Sequence, residues 1–254
     1  MRVYEDIPYV KDGHPCHLID LYLPDGDCSV LFLFFHGGGF VEGTRKNDVA
    51  MPEFTKDMTD MGIGVASAEY RLYPEARFPD FIEDAAEAVK FVTESISEYV
   101  SYDKLVVGGS SAGAYITQTL CFNDKYLKAV GVDPKRIDAY VHDAGQPTVH
   151  FNVLKERGVD PRRIIVDDDA PLYHVGKAES YPPMLFIISD NDIENRLEET
   201  ELLLGAIRRF GYDMSKVRLS KTCGNHVWYT KSVDNEKSVY ANLIIPFIKD
   251  ISKP

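Results

Sequence analysis

The run VLFLFF, from Val30 to Phe35, is six apolar residues in succession. A strand with one face in water alternates apolar and polar side chains, so an unbroken run of this kind belongs to a strand covered on both sides. Six further segments read as strands: HLIDLYL (17–23), IGVASAEY (63–70), KLVVGG (104–109), IDAYVHD (137–143), PMLFIIS (183–189) and VRLSKTC (217–223). Helical patterns fall between them. From Phe81, the residues Ala85, Ala88, Val89, Val92 and Ile96 repeat at helical spacing behind Pro79 and Asp80. Met51, Phe54 and Met58 form a shorter stripe that stops at Gly62, read as a C-cap. Leu197, Leu204 and Ile207 form another, ending near Gly211. In the last, VYANLIIPFIKDI, Pro246 is expected to kink or end the helix. Strands alternating with helices specify an α/β fold with a doubly wound, mostly parallel sheet. Only PDGDCS separates the first two of these strands, too little for a crossover helix, so the sheet is expected to begin antiparallel.

No internal repeat or Pro/Gly/Ser-rich linker divides the chain, and residues 1–254 read as one α/β domain. The stretch 146–182 is longer than a crossover helix requires. It reads as a lid over the carboxyl ends of the strands, or else as an extra surface helix without a role. Forty acidic residues against 28 basic ones give a net charge of −12, which disfavours a nucleic-acid backbone or an anionic membrane as partner. Cys16, Cys28, Cys121 and Cys223 show no C-x-x-C spacing and read as reduced thiols of a cytoplasmic protein. The opening MRVYEDIPYV has no signal-peptide pattern, and no apolar run is long enough to span a bilayer.

Chemistry concentrates in VVGGSSAGAY (106–115). The pattern G-x-S-x-G falls on Ser111, between a strand and the helical AYITQTLCF, as a nucleophile on a tight strand-to-helix turn requires. Such a turn brings the residues two before and two after the serine close together, so both must be tiny. Gly109 and Gly113 meet that demand for Ser111; the register on Ser110 would place Gly108 and Ala112 there, a poorer fit. The following helix aims its positive end at the site. Upstream, FFHGGGFVEG (34–43) frees the backbone to turn successive N–H groups to one point. Gly38 and Gly39, with the N–H of Ala112, form a candidate oxyanion hole. A phosphate loop would want Lys-Ser/Thr or G-x-G-x-x-G, and neither is present. His36 is expected to anchor the loop through backbone hydrogen bonds.

HGGGF, then EYRLYPEARFPDFIEDAAEAVKFV, then GGSSAGAY resemble the α/β-hydrolase superfamily. They are most similar to the short carboxylesterases related to hormone-sensitive lipase and to bacterial acetyl and feruloyl esterases. The similarity is densest over 30–120 and continues more weakly through 183–228. It implies the chain order Ser…Asp…His. On that order and the local sequence, His226 in KTCGNHVWY is the expected base, activating a serine that is a poor nucleophile alone. The acid should follow PMLFIIS. There IISDNDIEN resembles the family's I-H-G-x-x-D, which matches Asp192; Asp190 is the neighbouring choice. Asp143 ends the preceding strand, where some members of the fold carry the acid.

The expected activity is a serine carboxylesterase hydrolysing small short-acyl esters, of acetylated sugars or aryl groups, through an acyl-enzyme and with no cofactor or metal. Its partner is then a small-molecule ester, with a homodimer as the assembly the reading allows. Two alternatives are an amidase or formamidase with the same triad, and a non-catalytic ligand-binding homologue; the retained His226 argues for turnover. Among other features, VDDDAP (166–171) reads as a helix cap at Asp169 sooner than a metal site. Cys223 reads as a buried thiol and Glu42 as solvated surface. Phe40, Tyr73 and Trp228 suit pocket lining and plain packing equally.

Overall fold

Helices cover both faces of an eight-stranded sheet whose spatial order is β1-β2-β4-β3-β5-β6-β7-β8. The strands are β1 Arg2–Pro8, β2 Leu18–Leu23, β3 Val30–Phe35, β4 Ile63–Ala68, β5 Lys104–Ser110, β6 Ala139–Asp143, β7 Met184–Asn191 and β8 Val217–Asn225. The helices are α1 Pro52–Asp60, α2 Asp80–Glu94, α3 Ala112–Phe122, α4 Lys125–Ala129, α5 Phe151–Glu156, α6 Arg196–Arg209 and α7 Val239–Ile251. The structure is a computed structural model describing residues 1–252. From β3 to β8 all neighbours are parallel, while β1 and β2 run antiparallel at the start.

The apolar run that specified a doubly covered strand is β3, near the middle of the sheet. Its residues divide by parity, as the two-residue period of a strand requires. Leu31, Leu33 and Phe35 pack on the side of α2 and α3, in a core that includes Phe81, Val89 and Ile116 and extends to Leu203 of α6. Val30, Phe32 and Phe34 pack with α1 and α7, through Phe54, Met58, Tyr240 and Ile244. None of the six is more than 1% exposed. Fully burying each such side chain is worth about 1.5–3 kcal/mol relative to leaving it in water.

Several sequence expectations are revised. The antiparallel β2 pairs with β4, not with its chain neighbour β3, in the register Ile19↔Ala68 to Tyr22↔Val65. The connection through α1 returns as a parallel crossover that lays β4 between them. Strand β1 was not anticipated, because it is an outer strand with mostly exposed side chains and no apolar run. Helix α7 passes through Pro246 unbroken. Ile244, Phe247 and Ile248 on either side of the proline are buried in the core, and that burial offsets the lost backbone bond. The turn at Pro171–His174 is capped by Ala170, and Asp169 instead pairs with Arg157, as does Asp167. Cys223 is exposed, because the outer strand β8 lacks full cover on either face. Among the described residues, no helix is long and apolar enough to cross a membrane.

Candidate active site

Strand β5 ends at Ser110 and helix α3 begins at Ala112, leaving Ser111 alone to turn the chain. It does so at φ 54°, ψ −110°, a conformation that non-glycine residues avoid and that costs roughly 1–3 kcal/mol. The flanking glycines make the turn possible. A Cβ on Gly109 would lie 2.4 Å from the carbonyl carbon of Gly113, and one on Gly113 would lie 2.0 Å from the Phe35 carbonyl oxygen. The Ser111 N–H donates to the Asp143 carbonyl on the adjacent strand β6 at 2.7 Å, fixing the turn to the sheet. Ser110 is buried, at 1% exposure, while Ser111 is partly exposed and borders a cavity.

The loop after β8 carries His226 to that cavity. Its Nε2 lies 2.9 Å from Ser111 Oγ, across 115 residues of sequence, and its Nδ1 lies 2.5 Å from Asp192 Oδ1. Asp192 follows β7, and the parallel pairing of β7 with β8, which runs on to Asn191↔Asn225, brings the acid and histidine loops side by side. The Asp192 side chain is 1% exposed, and it also accepts the Ile193 N–H at 2.7 Å, so its carboxylate is held in one orientation. The two rival acids are elsewhere. Asp190 is exposed and accepts the Gly224 N–H at 2.8 Å; that backbone hydrogen bond holds its carboxyl below the usual range. Asp143 is fully buried and accepts the Tyr229 hydroxyl, from the turn just beyond His226. Burial pushes its carboxyl up to about 7, against the lowering effect of that hydrogen bond.

The glycine loop lies beside the serine: a Cβ on Gly37 would sit 3.3 Å from Ser111 Cβ. Gly38, at φ 106°, turns the chain so tightly that its carbonyl accepts from both Val41 and Glu42 at 3.1 Å. Ala112 is the first residue of α3, so its N–H has no partner within the helix. His36 anchors the loop, but through more than backbone. Its Nδ1 meets the Gly37 carbonyl at 2.7 Å, and its Nε2 meets Glu69 Oε1 at 2.7 Å. Glu69 in turn accepts the Arg45 N–H at 3.1 Å, and the Tyr70 hydroxyl donates to the His36 carbonyl at 2.7 Å. From the 146–182 stretch, Asn152 on α5 donates to the Gly39 carbonyl at 2.6 Å. The sequence assigns no role to Glu69, Tyr70, Asn152 or Tyr229: Glu69 and Tyr70 open the EYRLYPEARF segment and Tyr229 closes KTCGNHVWY, but no spacing shows what their side chains reach. Only the unexplained length of 146–182 hinted that something there reaches the site.

The cavity beside Ser111 has a volume of about 690 Å³ and is bordered by Gly38, Glu42, Phe151, Ile193 and His226. A larger groove, about 860 Å³, lies away from it between Tyr9, Glu83 and Tyr126. There His17 is held between Asp12 and Asp84 and activates no hydroxyl. Phe40 is wholly buried and stacks on Phe81 at 4.0 Å between centroids, so it packs the core and does not line the pocket. Tyr73 borders a side recess, where its hydroxyl meets Glu156 at 2.6 Å; Trp228 is exposed at the surface. Among the described residues, no group of His, Cys, Asp and Glu is arranged to hold a metal ion.

The sequence profile of the BD-FAE family matches residues 19–154, just over half of the chain. A probable isoprenylcysteine alpha-carbonyl methylesterase of Arabidopsis thaliana is 29% identical over 126 residues, covering 48% of this chain and 29% of that protein. An acetyl esterase of Salmonella schwarzengrund is 28% identical over 115 residues, covering 44% and 35%. The match thus spans about a third of the length of these curated relatives. Among solved structures, a truncated carbohydrate esterase from gut microbiota superposes with a TM-score of 0.79 at 18% identity, over 100% of this chain and 97% of that one. An esterase of the planctomycete Thermogutta terrifontis superposes with a TM-score of 0.72 at 17% identity, over 98% and 91%. At these identities the likeness establishes the α/β-hydrolase fold.

Proposed function

The chain belongs to the BD-FAE family, and from that premise we propose that it is a serine carboxylesterase for small, short-acyl esters, working through an acyl-enzyme. The observation that carries the reading is the unbroken hydrogen-bond chain from Ser111 Oγ through His226 to Asp192, bordering an open cavity. Ser111 Oγ attacks the ester carbonyl while His226 Nε2 takes its proton. Asp192 holds the imidazole with its proton on Nδ1 and stabilises the imidazolium that forms. The N–H groups of Gly38, Gly39 and Ala112 hold the oxyanion, each worth about 3–4 kcal/mol in the transition state. His226 then protonates the leaving alcohol oxygen, and the acyl group stays on Ser111. Water enters, gives a proton to His226 and attacks the acyl carbon; Ser111 takes the proton back as the carboxylic acid departs.

Two further assignments belong to this reading. Residues 1–254 act as one α/β-hydrolase unit, and 146–182 is the cover over its site, a role supported by the Asn152–Gly39 bond and by Phe151 on the cavity wall. The test is hydrolysis of p-nitrophenyl acetate, butyrate and octanoate by wild type, Ser111→Ala and Ser110→Ala. Wild type is expected to turn over the shorter esters, Ser111→Ala to lose on the order of 10⁶-fold in kcat, and Ser110→Ala far less. Undiminished turnover by a folded Ser111→Ala protein would end the proposal.

A further inference from the structure

Two recesses adjoin the Ser111 cavity and share wall residues with it. The first, about 470 Å³, shares Phe151, Lys155 and Ile193 with it and runs on to Arg162, Arg163 and Ile164. The second, about 360 Å³, shares Val41, Asn152 and Lys155 and ends at Tyr73 and Glu156. They join the cavity at different places. Ile193 directly follows Asp192 and so belongs to the acid–histidine side, whereas Val41 belongs to the glycine loop. A general acid must reach the oxygen that leaves. The alcohol half of an ester therefore departs on the His226 side, which leads into the first recess.

That recess combines an apolar wall with a cationic rim. Ile164 and Ile193 are 57% and 42% exposed beside the partly buried Phe151, an apolar surface left in water next to the site. Lys155, Arg162 and Arg163 are exposed along it. Asp160 holds Arg162, and Arg157, nearby in sequence, is drawn off by Asp167 and Asp169. Among the described residues, no carboxylate lies within ion-pair distance of Lys155 or Arg163, although Asp160, lowered chiefly by its hydrogen bond from Arg162, also feels the charge of Arg163; Lys155 lies over the Phe151 ring at 5.4 Å. The acids bordering the recess are Glu194, which is exposed, and Glu199, which is buried against Thr148 with the buried Arg196 beside it. In the adjoining cavity, Glu42 and Asp48 are accompanied by Lys231. Lys155, and Arg163 with only the Arg162-bonded Asp160 near it, thus close an apolar trough in a chain whose net charge is −12.

We propose that this recess selects the alcohol half of an aromatic ester that bears a carboxylate, with the ring on Phe151, Ile193 and Ile164 and the carboxylate facing Lys155 and Arg163. The inference rests on the esterase reading above and adds the charge and shape of the substrate to it. The probes are 4-acetoxybenzoate and its uncharged counterpart 4-acetoxybenzamide. Wild type is expected to favour the anion roughly three- to tenfold in KM, the range that two exposed charge contacts supply. In Lys155→Gln/Arg163→Gln the preference should vanish, Arg163→Glu should shift it toward the amide, and 0.5 M salt should erode it in wild type. An anion-to-amide ratio equal in wild type and the double variant would overturn the proposal. If wild type hydrolyses neither these esters nor p-nitrophenyl acetate, the esterase reading fails on its own. Calorimetric binding of the product 4-hydroxybenzoate then decides the recess: binding weakened severalfold by the double substitution upholds the anion site, and equal or absent binding in wild type removes it.

Discussion

At the scale of single residues, the site depends on the absence of side chains as much as on their presence. Ser111 can occupy its unusual backbone conformation only because Gly109 and Gly113 touch each other and the end of β3. Gly113→Ala would drive a methyl to 2.0 Å from the Phe35 carbonyl oxygen, where no side chain can yield. We expect a loss of at least about 1–3 kcal/mol in stability, read as a lower melting temperature, together with lost ester turnover. A variant as stable as wild type would mean that the turn is looser than drawn. This steric demand is local, which is why Ser111 and its glycines could be read from ten letters of sequence. Which of Asp143, Asp190 and Asp192 meets the histidine is not a local matter, because it depends on how the loops after β7 and β8 meet. Spacing alone cannot show that Asp190 faces Gly224 while Asp192 faces His226.

At the scale of elements, two contacts tie the loops of the site together. Helix α5 bonds to the glycine loop through Asn152 and the Gly39 carbonyl at 2.6 Å. Asn152→Ala should leave that carbonyl short of a partner and let the loop relax. We expect about a tenfold fall in kcat/KM, together with a lower melting temperature that reflects the roughly 1–3 kcal/mol an unmade buried bond costs. The turn after His226 is fixed to β6 through the Tyr229 hydroxyl on Asp143. Tyr229→Phe strands a buried carboxyl, and denaturant titration should show a loss of about 1–3 kcal/mol. Elements with continuous apolar runs or helical stripes were legible because burial on both faces, or on one, writes itself into the period. Strand β1 was not, having neither. Nor was the place of β4 between β2 and β3, which the path of a crossover decides and no local pattern records. The passage of α7 through Pro246 reflects tertiary burial overriding a local preference.

At the scale of the whole molecule, the buried carboxyl of Asp143 links the site to folding. Burial raises it from 3.8 to about 7. Between about pH 4 and pH 7 the folded protein keeps a proton that the unfolded chain has released, so this group lowers stability as pH rises through that window, and the loss is complete above it. Asp143→Asn mimics the protonated form and does not titrate. We expect its melting temperature to gain on wild type from about pH 4 to about pH 7 and the difference then to level off; a constant difference throughout would place the Asp143 carboxyl back in the ordinary range. The separation of Ser111 from His226 by 115 residues has a consequence of another kind. On a translating ribosome, at about 5–20 residues per second, roughly 6 to 23 seconds pass between polymerising the hydroxyl and polymerising its base. On the serine mechanism proposed above, the nascent serine is chemically ordinary through that interval, and the growing polypeptide would not acylate itself on cellular esters before the sheet is nearly complete.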